Sequence, residues 1–102
     1  MKHIIISGRL TADPQIKVVG TDNKKVANFS IANNDNNKEK PEFFDVVAWG
    51  KSADFVEQYL TKGKKVFIQG SFSNEEYTAN NTKKIHFIVN ANSIEFGESQ
   101  KQ

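Results

Sequence analysis

Residues 43–70, FFDVVAWGKSADFVEQYLTKGKKVFIQG, hold an extended run, a helical run and a second extended run in immediate succession. Read as a strand, the first part alternates between two faces. Phe43, Asp45, Val47 and Trp49 share one; Phe44, Val46 and Ala48 share the other. A half-buried strand is apolar on one side only. Here both sides carry large apolar groups. Either the strand is buried on both faces, or the side bearing the chain's only Trp meets something other than its own core. The next part starts at Ser52, which can cap a helix N-terminus, with Asp54 in the first turn. Phe55 and Tyr59, then Val56 and Leu60, follow at helical spacing, and Gly63 reads as the helix stop. Lys65–Ser73 is a strand with Gly70 inside it.

Upstream, Lys2–Leu10 is an Ile-rich strand in which Gly8 suggests a bulge or sharp bend. A turn through Pro14 follows, and Gln15–Val19 continues as a short extended piece. Lys25–Asn33 alternates, with Ala27, Phe29 and Ile31 on a core side and Val26, Asn28 and Ser30 on a solvated or binding side. Asn33–Lys40 is a loop without an apolar residue. Downstream, Asn80-Asn81 marks a turn before Lys84–Ala91, whose Ile85, Phe87, Val89 and Ala91 share a face. Phe29, Phe67 and Phe87 belong to the core. The order is three strands, a helix and two strands. Together with glycines inside the first and fourth strands, this predicts an all-β fold, a five-stranded OB-fold barrel with the helix between strands 3 and 4. One domain covers residues 1–96, with a short flexible tail over 97–102.

The 102 residues include 14 basic and 12 acidic side chains and no cysteine. Disulfides and thiolate metal sites are thereby excluded. The longest apolar run near the start, Ile4-Ile5-Ile6, is too short for a signal peptide or a membrane span. The expectation is a cytoplasmic protein with no membrane partner. Enzymatic chemistry finds no support. His3 and His86 are the only histidines, there is no nucleophile elbow or phosphate loop, and Glu75 and Glu76 point to opposite strand faces. No metal site and no cofactor is expected.

Binding is better supported. Trp49 and Phe43 share a strand face six residues apart. A barrel core would accommodate either ring, but the opposite face already supplies an apolar stripe. The aromatic face also holds Asp45, which is costly to bury unpaired. An exposed ring is a stacking platform for any base. Tyr77, at the end of the fourth strand, can serve likewise. Lysines cluster around the helix (Lys51, Lys62, Lys64, Lys65), in the polar loop (Lys38, Lys40) and beside the hairpin turn (Lys83, Lys84). Arg9 is the only arginine, so the cations suit attraction to phosphate more than reading of base edges.

Several segments carry a family resemblance. ISGRLTADPQIK, VANFSIAN, the strand–helix–strand block of residues 43–70 and ANSIEF follow, in register, the pattern of the bacterial and phage single-stranded DNA-binding proteins, the SSB family. The chain resembles that family over residues 1–96. The resemblance implies an OB-fold that binds and protects single-stranded DNA without sequence preference, in replication, recombination or repair. It also implies a homotetramer, with a dimer as the other possibility. It assigns stacking to Trp49, Phe43 and Tyr77. The phosphate candidates are Lys51, Lys62, Lys38, Lys40, Lys83, Lys84 and Arg9. Two features depart from the pattern: Asn37 stands where relatives carry a further aromatic, and Asp45, Glu75 and Glu76 place acids near the groove. The chain ends in GESQKQ without an acidic, hydrophobic tip, so recruitment of repair or replication enzymes through a tail is not expected. The setting implied is the bacterial cytoplasm, on the nucleoid or encoded by a phage or plasmid. The alternative is a protein-interaction module of a replication complex, similar to the primosomal replication protein.

Overall fold

The computed structural model describes residues 1–97. In chain order the elements are β1 (Ile4–Leu10), β2 (Gln15–Val19), β3 (Lys24–Asn33), β4 (Glu42–Trp49), α1 (Lys51–Tyr59), β5 (Lys65–Ala79) and β6 (Thr82–Phe96). Antiparallel ladders join β1 to β5, β5 to β6, β4 to β3 and β3 to β1. A short parallel ladder from β4 to β6 completes the circuit. β1, β3, β4, β5 and β6 therefore close into the expected OB barrel, with β2 paired along β3. Because the piece at 15–19 is a strand in its own right, the helix falls between the fourth and fifth strands in chain order.

Two glycines permit the closure. β1 pairs with β5 along most of its length and passes to β3 at Arg9 and Leu10. A Cβ on Gly8, at that changeover, would lie 2.7 Å from the Ala32 carbonyl oxygen. The ladder stays in register there, so Gly8 allows a close approach and not a bulge. The bulge lies at Gly70. Gln69 pairs with Ser93 but Gly70 pairs with Ala91, which leaves Asn92 as the extra residue. Such a bulge increases local coiling, as a small barrel requires.

The core is built from alternate residues: Leu10, Ala27, Phe29, Ile31, Val46, Ala48, Val66, Ile68 and Val89. α1 adds Ala53 and Val56, and Leu60 just after it completes the plug at the barrel end. The two apolar faces of β4 are thus resolved. Val46 and Ala48 point inward and Phe44 packs beside them, while Phe43 and Trp49 point out.

Several local expectations are corrected. Ser52 does not cap α1. The helix starts at Lys51, with Gly50 at the N-cap position at φ 60 and no side-chain cap bond. Gly50 N–H still donates to the Lys25 carbonyl, so the sheet runs straight into the helix through one left-handed residue. Gly63 is not the stop either. Leu60 already turns extended, and Gly63, at φ 88, shapes the turn that carries the chain back to β5. Phe67 is not core. Its neighbours Val66 and Ile68 take the inward positions and leave its ring 45% exposed, with the Lys65 ammonium 5.7 Å from its centre. Val26, expected on the open side, is buried, with Trp49 directly opposite it.

β5 and β6 outrun the expected strands. They form a hairpin that closes at Asn80-Asn81, both left-handed at φ 53 and 62, the geometry of a tight turn matched to strand twist. Its outer half extends past the barrel wall. Ile85, although in line with Phe87, Val89 and Ala91, is therefore exposed. The tail expected over 97–102 lies, beyond Gly97, outside the described residues. Among the described residues no helix is long and apolar enough to cross a membrane.

Candidate nucleic-acid interface

Side chains directly opposite each other across a ladder share a face. On β4, Phe43, Asp45, Val47 and Trp49 lie opposite Ala32, Ser30, Asn28 and Val26 of β3. Across the parallel ladder Asp45 is level with Ile88 of β6, and Ile88 is level with Ser73 of β5. Two residues further along each strand of that hairpin stand His86 and Glu75, then Lys84 and Tyr77. Tyr77 therefore lies on the same outer side as Phe43 and Trp49. Their exposures are 49%, 65% and 47%.

A groove of about 390 Å³ crosses this side. Gln15, Asn28, Ser30, Asp45 and His86 line it, and Thr11–Asp13, between β1 and β2, forms one wall. Its floor carries a connected set of polar groups. Ser30 Oγ donates to Asp45 Oδ1 at 2.5 Å, and His86 Nε2 pairs with Asp45 Oδ2. The Ser30 hydroxyl first, and His86 after it, hold the Asp45 carboxyl below the usual carboxylate range despite partial desolvation. Asp45 is thus ionised at neutral pH and is not an unpaired acid. Neither partner was singled out from the sequence. Ser30 is 15 positions away and His86 is 41, and only the β3–β4–β6 pairing brings them together.

The cations are placed unequally. Lys51 opens α1, one residue beyond Gly50 and two beyond Trp49, and is exposed. The Lys62 backbone N–H donates to Asp13 Oδ1 at 2.8 Å, which sets this residue against the groove wall. Lys84 is directly opposite Tyr77, whereas Lys83 is opposite Thr78 and on the other face of the hairpin. Arg9 is level with Ala32, hence with Phe43, but its guanidinium donates to the Gly63 carbonyl at 3.0 Å. Lys38 and Lys40 ride on a loop turned by Asn37, whose side-chain oxygen accepts from Glu39 N–H at 2.9 Å. Lys25 is committed elsewhere. It pairs with Glu57 at 2.6 Å and Asp54 at 2.9 Å, and these partners, Glu57 foremost, raise its pKa. The two helix acids thus share one ammonium, and the cluster keeps one net negative charge.

Comparison with known proteins adds three findings. The model of the single-strand binding protein family matches residues 1–97. Among relatives, a single-stranded DNA-binding protein of Fusobacterium nucleatum is 35% identical, covering 98% of this chain and 69% of its own length. Single-stranded DNA-binding protein 1 of Clostridium acetobutylicum is 32% identical over 100% of this chain and 98% of its own. A crystal structure of a deletion mutant of the single-stranded DNA binding protein from Thermus aquaticus superposes with a TM-score of 0.80 at 22% identity. The present chain spans 43% of that chain, and the likeness supports the fold.

Proposed function

The chain belongs to the single-strand binding protein family, and from that premise we propose that it binds and protects single-stranded DNA without sequence preference. The observation that carries this is three exposed rings, Phe43, Trp49 and Tyr77, on one outer side of the barrel beside a groove that holds Ser30, Asp45 and His86. Bases stack on these rings because every base has a π-face, each contact contributing ~1–3 kcal/mol. Lys51, just after Trp49, Lys62, bonded to Asp13, and Lys84, opposite Tyr77, hold the phosphates. Arg9, Lys38, Lys40 and Lys83 act further along the strand's path. The role is binding, without catalysis. The setting is DNA replication, recombination or repair in a bacterial cytoplasm, and the assembly is a homotetramer.

The test is a titration of Trp49 fluorescence with poly-dT at two salt concentrations. Quenching is expected, with log K falling by about 0.7 per neutralised phosphate for each decade of salt. Unchanged emission at low salt with excess DNA overturns the proposal.

A second function, docking of a replication partner on the same barrel, is favoured by one observation. Ile5 and Phe67 are exposed and line a separate depression with Ser7 and Glu42. Solution mass separates the two: a tetramer suits DNA coating and a dimer suits the docking module.

A further inference from the structure

The groove floor poses an electrostatic problem for any polyanion. Asp45 stands on β4 between the platforms Phe43 and Trp49, and its carboxylate is ionised at neutral pH. A phosphate chain crossing from one ring to the other passes over that charge. The residue facing it is His86, about half exposed, with Nε2 on Asp45 Oδ2. Its Nδ1 has no hydrogen-bond partner among the described residues.

We propose that His86 is a further nucleic-acid-binding residue, one that acts as the imidazolium. By taking up a proton it cancels the Asp45 charge on the groove floor and offers Nδ1–H to a phosphate. This rests on the single-strand binding role proposed above. The neutral pair carries one net negative charge, and the protonated pair carries none. Histidine is the side chain whose ordinary titration falls between pH 5 and 8. Linkage then makes the effect reciprocal: if the proton favours DNA, DNA favours the proton, by the same factor.

The surroundings of the imidazole are defined from each element. Asp45 faces it from β4, with Ser30 of β3 behind. Glu75 is opposite it on β5, and the Tyr77 ring meets it edge-on at 6.4 Å. Asp13 stands on the far wall of the groove, and Lys84 is two residues away on β6. Three acids, Asp45, Glu75 and Asp13, thus face two lysines, Lys84 and, against the Asp13 wall, Lys62, so the charge on His86 shifts the balance this stretch of groove presents to a phosphate.

The experiment is poly-dT binding by Trp49 quenching at fixed salt between about pH 5.5 and 8, with far-UV circular dichroism confirming the fold. One charge at close range in water-like surroundings corresponds to an affinity about threefold to fivefold higher at the acid end. His86→Gln is expected to lose most of that dependence. His86→Lys, with a fixed charge, is expected to bind at pH 8 as tightly as the parent does at pH 5.5. A parent whose affinity is flat with pH overturns the proposal, as does a His86→Gln variant with the parent's full dependence. In both of those outcomes quenching persists, and the binding role stands. Absence of quenching at every pH removes the binding role itself.

Discussion

Phe43 and Phe44 are consecutive in sequence and identical in chemistry, yet the barrel turns them to opposite sides. Truncating each to alanine therefore separates recognition from stability. Phe43 is 65% exposed. Full burial of a Phe side chain is worth ~1.5–3 kcal/mol, so the third of Phe43 that is covered accounts for about 0.5–1 kcal/mol. Phe43→Ala should leave the fold intact. It should cost ~1–3 kcal/mol of DNA affinity, a factor of about 5 to 150. Phe44 packs against the core and meets Phe87 edge-to-face, with ring centres 6.3 Å apart. Phe44→Ala leaves a gap there and should cost about 2–3 kcal/mol of stability, somewhat under the range for fully buried Phe. Where it remains folded, its DNA affinity should stay close to the parent's. Urea denaturation and Trp49 quenching by poly-dT, run on both variants, supply the four numbers. A Phe43→Ala protein that is stable and binds normally refutes the stacking role. A stable Phe44→Ala protein with lost affinity refutes the assignment of faces.

Three further outcomes follow from the geometry. Gly70→Ala places a Cβ 2.0 Å from the Asn90 carbonyl oxygen, a backbone atom that cannot swing away; a loss of about 3 kcal/mol or more is expected in urea denaturation, and a neutral result would contradict the bulge. The lowered pKa of Asp45 means its stabilising contribution is complete above the unfolded carboxylate value near pH ~4 and is lost as pH falls through the lower folded value. Thermal melts below pH ~4 should therefore fall more steeply for the parent than for Asp45→Asn. Lys84 shares a face with Tyr77 and Lys83 does not. Lys84→Ala should accordingly lower the salt slope of DNA binding by about 0.7, and Lys83→Ala by clearly less.

Much of this protein was legible along the chain. Alternation in VANFSIAN named Ala27, Phe29 and Ile31 as core, and all three are buried. The order of extended and helical runs indicated the barrel, and the family pattern pointed to the same fold. Trp49 and Phe43 stood out because β4 offered two apolar faces where one barrel interior could use only one. Alternation failed where both parities are apolar, as at Val66-Phe67-Ile68. The inward pair there was set by the register of β5 against β1 and β6.

What the sequence determined by itself was local: where strands run, which residues can form a helix, and which rings exceed the needs of a small core. Those follow from periodicity and composition, which act over a few residues. Closure of the barrel, the β4–β6 ladder and the Ser30–Asp45–His86 floor were decided only by tertiary structure. Their physical cause is pairing between segments far apart in the chain, where the partner of a side chain depends on register and on the curvature that Gly8 and Gly70 permit. No pattern within one strand carries that information.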